Sequence, residues 1–171
     1  MAATISILAA SLLLVIAFIH DVRVMKIPNR LTISFIIAGI IYQSVVYGMS
    51  GSIHSFLGAA AGFIPLLVLY ALKGIGAGDV KLFAALGAWI GASLVVQVLI
   101  YAILYAGAAG VVLIFVNGSF GRRVMRAVIS MITPSAGGKV EAIKTWSKDG
   151  LRFPFMIAVV PAALTAWFQT V

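Results

Sequence analysis

Residues 82–121 read LFAALGAWIGASLVVQVLIYAILYAGAAGVVLIFVNGSFG and contain no charged side chain. A helix that crosses a lipid bilayer needs about 20 apolar residues, so this stretch is long enough for two such helices. The natural division is at Gly91-Ala92-Ser93, where turn-forming residues follow Trp89, an aromatic residue of the kind that favours the membrane interface. The stretch therefore predicts two consecutive membrane helices.

Three further uncharged runs lie outside this stretch. Residues 31–72 are long enough for two helices, divided at the turn-forming cluster from Tyr47 to Ser52, and residues 1–20 and 153–171 are long enough for one each. The sequence thus predicts an all-α, polytopic membrane protein with six transmembrane helices in a single domain, 1–171. The expected spans are 2–20, 30–47, 53–72, 79–91, 94–117 and 153–170.

The composition agrees with this fold class. Hydrophobic residues make up 63% of the chain and charged residues 9%, whereas a soluble domain carries roughly 25% charged residues. These values exclude a soluble enzyme, a nucleic-acid-binding protein and a separate domain outside the membrane. We therefore expect the chain to be surrounded by the lipid bilayer and to bind no nucleic acid.

The basic residues predict the orientation. All 12 lie in the first, third and fifth connections, at about 20–30, 73–81 and 118–152, and the second and fourth connections have none. By the positive-inside rule these three loops are cytoplasmic, which places both termini outside. The fifth connection is the largest polar segment, and its part 122–132 is expected to form a basic amphipathic helix on the inner membrane surface.

Small residues recur at a spacing of four. Gly58 and Gly62 mark the third span, and Gly87 and Gly91 mark the fourth. In lipid this spacing lets helix backbones approach closely. Packing within one chain is the more economical interpretation, and a homodimer interface is the alternative.

Few residues are available for chemistry. The chain has four acidic residues, two histidines and no cysteine. His20 and His54 are expected at opposite membrane faces, while Glu141 and Asp149 lie among lysines of the fifth connection, where solvated ion pairs are expected. Two acidic residues remain, and no cluster with the composition of a metal site is apparent.

Asp21 and Asp79 are the remaining two, and both are predicted at helix ends on the cytoplasmic side. An ionisable residue at membrane depth is costly and by default marks a functional site. The alternative for each is a helix cap or an ion pair with a nearby basic residue. Two such residues on one face, in a chain with so few, favour function.

Their neighbours are unusual for connecting loops. Pro28 and Asn29 follow Asp21, and Asn29 is expected to cap the second helix. Glycines alternate at 74, 76 and 78 immediately before Asp79, which allows positive φ angles and close approach of another backbone.

These motifs resemble a known family. Asp21 followed by Ile27-Pro28-Asn29, with the run Gly76-Ala77-Gly78-Asp79-Val80-Lys81-Leu82, is similar to the signature of the type IV prepilin peptidases, intramembrane aspartic proteases of the GxGD type. The resemblance covers nearly the whole chain, since the core of that family also has six spans. The closing run Arg152-Phe153-Pro154-Phe155 resembles the start of the last span in the short peptidases that serve tight-adherence (Flp-type) pili.

The resemblance implies a function and a site. Asp21 and Asp79 would be the catalytic pair, Gly76 and Gly78 would shape the loop, and Lys81, Pro28 and Asn29 would support the site. The substrate would be a prepilin or pseudopilin precursor, cut after a glycine at the end of its short basic leader. Longer members also methylate the new N-terminus and carry an insertion with paired cysteines. The short first loop and the absence of cysteine predict a peptidase without that activity.

An aspartic protease needs two carboxylates that share a proton, one ionised to activate water and one protonated to assist the carbonyl. This chemistry needs no metal or cofactor. Which of Asp21 and Asp79 is the base stays open. Two alternatives also stay open: a small proton- or cation-coupled transporter, against which the one-sided placement of the two residues argues, and a non-catalytic scaffold for pilus assembly.

Overall fold

The computed structural model describes residues 2–24, 27–72, 75–116 and 155–169, and within these ranges the regular structure is helical. The helices are α1 (Ala2–Val24), α2 (Asn29–Ala71), α3 (Ala77–Val116) and α4 (Met156–Phe168). Three of them, α1 to α3, are long and apolar enough to cross a membrane, and α4 is a shorter apolar helix. The all-α class is confirmed, and the six-span count stays a prediction.

The chain turns back within α2 at Gly48. This residue has φ 62° and ψ −142°, a conformation that glycine adopts without the steric penalty of a side chain. The hydroxyl of Ser52 donates to that of Ser44 at 2.8 Å, although a straight helix would separate these residues by about 12 Å along its axis. Gly48 lies inside the cluster where the sequence predicts a break, but the helix resumes directly after it, so the turn is shorter than expected.

A second reversal occurs within α3 at Gly91, which has φ 79° and ψ 175°. Phe83 and Val95 both border Gly62 of α2, although a straight helix would place them about 18 Å apart along its axis. The residues after Gly91 therefore run back beside those before it. The predicted division at Gly91-Ala92-Ser93 is confirmed at its first residue.

The small residues bring α2 and α3 into backbone contact. Gly58 faces Gly87, and Gly62 faces the carbonyl of Phe83, so the second part of α2 and the first part of α3 are antiparallel. A Cβ atom at any of these glycines would collide with the backbone opposite. The interpretation as packing within the chain is confirmed, and the homodimer stays an untested alternative.

The helix end before Gly91 is closed by side chains. A helix that stops leaves its last carbonyls without intrahelical partners. Ser55 Oγ donates to the carbonyl of Ala88 at 2.8 Å, and Gln43 Nε2 donates to that of Trp89 at 2.9 Å. Both side chains are buried, and their hydrogen bonds let α3 turn within an apolar bundle.

Trp89 lies directly before the reversal at Gly91 and is packed inside the bundle. Its side chain is only 8% exposed and belongs to the core. The indole stacks on Tyr42 with ring centroids 5.4 Å apart, and its N–H donates to the carbonyl of Phe35 at 2.9 Å. Its interfacial depth stays a prediction, and α2 supplies the polar partner that its indole N–H requires.

Two compact units divide the chain. The first comprises Met1–Tyr105 and Pro154–Val171, and in it α1 packs on α2 and α4. Tyr101 and Tyr105 hydrogen-bond to Gln169 and Thr165, which makes α4 antiparallel to the adjoining part of α3. The second unit is Ala106–Phe153, described over 106–116 as the last part of α3. The predicted loop 118–152 and its amphipathic helix lie outside the described residues, and the single-domain prediction is untested.

Candidate active site

Asp21 lies in the last turn of α1, because this helix continues beyond its predicted end at residue 20 to Val24. Its side chain is 8% exposed, so the carboxylate is largely withdrawn from solvent. The oxygen Oδ2 accepts a hydrogen bond from the backbone N–H of Met156 at 3.2 Å. Asp21 therefore stands at the start of α4 as well as at the end of α1.

Asp79 lies in the first turn of α3, which begins at Ala77, so it is part of the helix and not of the preceding loop. Its Oδ2 accepts the backbone N–H of Gly76 at 3.2 Å, and its own N–H donates to the carbonyl of Gly76 at 3.2 Å. This is the geometry in which a side chain three residues into a helix reaches back to the capping position. Asp79 thus closes the helix start from inside its first turn.

The fold brings the two carboxylates together. They come from different helices, and they are close enough for their charges to interact. In each, Oδ2 is held by a backbone N–H, and within the described residues Oδ1 has no hydrogen-bond partner. Two such carboxylates, each with one oxygen fixed and one free, can share a proton and orient a water molecule.

Gly76 and Gly78 act by allowing close approach. A Cβ atom at Gly78 would lie 3.3 Å from Cβ of Ile27, and one at Gly76 would lie 3.2 Å from Oδ2 of Asp79. The expectation of positive φ is wrong for these two, because the described glycines with positive φ are Gly48 and Gly91. The lack of a side chain at Gly78 lets Ile27, just ahead of α2, pack against the start of α3.

Lys81 and Asn29 connect the same two segments. Nζ of Lys81 donates to Oδ1 of Asn29 at 2.9 Å. The predicted cap by Asn29 is wrong, since Pro28 occupies the capping position in an extended conformation and its carbonyl accepts the N–H groups of Leu31 and Thr32. The Asn29 side chain is therefore available to the lysine, and their hydrogen bond joins the start of α2 to the helix that carries Asp79.

Sequence reasoning missed the part that the start of α4 takes in this site. Met156 supplies its backbone N–H to Asp21, and the ring of Phe155 packs on that of Phe83 with centroids 6.3 Å apart. Phe155 belongs to the closing motif singled out in the sequence, but a backbone donor such as that of Met156 leaves no trace in residue identity.

His54 does not join this site. His54 borders Gly91, at the far end of α3's first part from Asp79, and lines a cavity of about 390 Å³ with Gln43 and Trp89. Among the described residues, no group of three or more His, Cys, Asp or Glu side chains is placed to hold a metal ion.

Comparison with known proteins decides the family. A profile described as the type IV leader peptidase family matches residues 7–131, which include both aspartates. The chain belongs to the type IV leader peptidase family. This confirms the resemblance inferred from the sequence, while the short tight-adherence subtype stays a prediction.

Curated relatives of this chain carry the name prepilin leader peptidase/N-methyltransferase. The protein from Bacillus subtilis (strain 168) is 30% identical over 132 residues, which are 76% of this chain and 51% of the relative. That from Pectobacterium carotovorum subsp. carotovorum is 35% identical over 47% of this chain and 31% of its own. That from Klebsiella pneumoniae is 35% identical over 54% of this chain and 42% of its own length.

The chain spans about half the length of the Bacillus subtilis relative and less of the other two. No solved structure matches it. These findings establish the family, and together with the long apolar helices they support a membrane protein.

Proposed function

We propose that this protein is a membrane-embedded aspartic endopeptidase that removes the leader of a type IV prepilin, with Asp21 and Asp79 as its catalytic pair. The observation that carries the proposal is their placement: the two carboxylates come from different helices and lie close enough for their charges to interact, and each has one oxygen tied to a backbone N–H. Family membership and the names of the relatives support prepilin as the substrate.

The chemistry follows from the pair. One carboxylate, ionised, takes a proton from a water molecule as the water oxygen attacks the scissile carbonyl carbon. The other, protonated, donates its proton toward the carbonyl oxygen and stabilises the tetrahedral intermediate. The intermediate collapses with cleavage of the C–N bond, and the leaving nitrogen receives the proton that the first carboxylate took. As the C=O bond re-forms, a hydroxyl of the intermediate returns a proton to the second carboxylate, which restores the starting state of the pair. The products are a new carboxyl end on the leader and a new amine on the pilin.

Charge and depth support cleavage at the cytoplasmic face of the bacterial inner membrane. Asp21 and Asp79 lie where α1 ends and α3 begins, next to the first and third connections, which carry basic residues. In the proposed topology the six helical segments, separated at Gly48 and Gly91 within α2 and α3, each span the membrane, and both termini lie outside. A prepilin whose leader is cytoplasmic and whose apolar helix is inserted would present its cleavage site at this depth.

Gly76, Gly78, Pro28, Asn29 and Lys81 support the site in this proposal. The contact between Gly78 and Ile27 and the hydrogen bond between Lys81 and Asn29 both tie the segment after Asp21 to the helix that carries Asp79. Their role is to hold the two aspartates at fixed positions relative to each other. The reaction needs no metal or cofactor, and the absence of cysteine supports a peptidase without N-methyltransferase activity, of the kind that serves Flp-type pili.

The proposal is tested with purified protein in liposomes and a prepilin precursor from the same genome. Cleavage is followed by mass spectrometry of the leader for the wild type, Asp21→Asn and Asp79→Asn, with folding checked by circular dichroism. We expect one defined cut by the wild type and none by either variant. Unchanged cutting by either variant would rule out the aspartic mechanism.

The same experiment separates the alternatives. A scaffold would cut no precursor, and pilus assembly in cells would tolerate Asp79→Asn. A proton-coupled transporter would also leave the precursor intact, but it would move protons across the liposome membrane in a manner that Asp79→Asn abolishes.

A further inference from the structure

The start of α4 contacts Asp21 and the helix that carries Asp79. Met156 is the first residue of α4, its side chain is fully buried, and its N–H donates to Asp21 at 3.2 Å. Phe155, which precedes it, packs on Phe83, one helical turn after Asp79 on α3. One short segment thus touches the helix of each aspartate.

The hydrogen bond from Met156 satisfies a need on both sides. The first N–H groups of a helix have no acceptor within the helix. The capping residue Phe155 gives no side-chain hydrogen bond, and its carbonyl accepts the N–H groups of Ala158 and Val159. The N–H groups of Met156 and Ile157 have no acceptor within the helix, and that of Met156 donates to Asp21. The Asp21 carboxylate, buried among apolar helices, requires such a donor.

We propose that the Met156 N–H is a positioning group that fixes the Asp21 carboxylate for catalysis. Because it engages Oδ2, rotation of the carboxylate is restrained and Oδ1 is the oxygen left for water or for the shared proton. The packing of Phe155 on Phe83 holds this donor in a constant place relative to α3, and hence to Asp79. The inference rests on the proposed peptidase activity and adds α4 to its machinery.

The N–H can be removed without changing a side chain. Nonsense suppression with the α-hydroxy analogue of methionine replaces the amide between Phe155 and Met156 by an ester. The matched control is the same replacement at Leu164, inside α4 and about 12 Å further along the helix. Both variants are made in the full chain and assayed for prepilin cleavage in liposomes.

We expect the Met156 ester to lower kcat by about 10- to 100-fold with KM changed by less than about twofold, because a small misplacement of a catalytic group slows chemistry without weakening substrate binding. The Leu164 ester should retain the wild-type kcat. Equal kcat values for the two ester variants would overturn the proposal.

A second measurement tests the hydrogen bond without activity. The ester at Met156 should lower the midpoint of unfolding in the wild-type and Asp21→Asn backgrounds, since the amide oxygen of asparagine can accept the same N–H. It should cause a much smaller shift with Asp21→Ala, which has no acceptor. An equal shift in all three backgrounds would overturn the proposal. If the wild type cuts no precursor while this coupling is present, the peptidase function has failed and the contact has not.

Discussion

Ser55 gives a direct test of how a helix can end inside this bundle. Its side chain is fully buried, and its hydroxyl donates at 2.8 Å to the carbonyl of Ala88, three residues before the break at Gly91. Ser55→Ala removes the hydroxyl, and with it this donor to the carbonyl, and changes little volume. The perturbation therefore isolates one hydrogen bond.

The expected loss follows from two limits. Hydrogen bonds between membrane helices are worth on average about 0.6 kcal/mol and at most about 1.7 kcal/mol. A buried group left without its partner costs about 1–3 kcal/mol. Because the Ser55 hydroxyl and the carbonyl that it binds are buried in the bundle, we expect Ser55→Ala to lower the free energy of unfolding by about 1–2 kcal/mol.

The assay is equilibrium unfolding in mixed micelles with increasing denaturing detergent, followed by circular dichroism. The control is Ser34→Ala, which removes an exposed hydroxyl bonded to the carbonyl of Leu31 within its own helix, with an expected loss below about 0.5 kcal/mol. If Ser55→Ala and Ser34→Ala give the same free energy of unfolding, the helix end before Gly91 does not depend on this donor and the reasoning is refuted.

Three further outcomes are expected. Gly58→Ala should destabilise the protein by about 1–3 kcal/mol, because its Cβ would collide with the backbone of Gly87. Gly107→Ala is the control and should be tolerated, since its Cβ would meet nothing within 4 Å. The unfolding midpoints of the two variants, compared with the wild type, test this prediction. Lys81→Met and Asn29→Leu should each reduce the rate of prepilin cleavage, because each removes the hydrogen bond between these two residues. The double variant should cleave no more slowly than either single variant, and the cleavage rates of the three variants test this. Cleavage measured with and without EDTA should be equal, since the two carboxylates and water complete the reaction.

Much of the architecture can be predicted from the sequence, because the bilayer dictates it. Charge-free runs longer than one span, interrupted by turn-forming glycines, place the reversals at Gly48 and Gly91. The spacing of four residues between Gly58 and Gly62, and between Gly87 and Gly91, likewise predicts close helix contact. These features depend on composition and period, which a sequence displays directly.

Other features depend on partners that only the fold supplies. The buried indole of Trp89 finds its acceptor in the carbonyl of Phe35, and Asn29 does not cap α2 because Pro28 occupies the capping position, which leaves its side chain to Lys81. The donor to Asp21 is a main-chain group of Met156, far along the chain, and main-chain groups carry no residue-specific signal. The aspartates could be singled out from the sequence, but the groups that hold them could not.

The central claim is that Asp21 and Asp79 act as one catalytic unit. The most direct measurement is kcat/KM for prepilin cleavage by the wild type, Asp21→Asn, Asp79→Asn and the double variant. Residues that act together show non-additive losses, so each single change should reduce kcat/KM by roughly 10³-fold or more and the double change should add little. A loss in the double variant equal to the product of the two single losses would contradict the claim. A single variant that cuts at the wild-type rate would also contradict it.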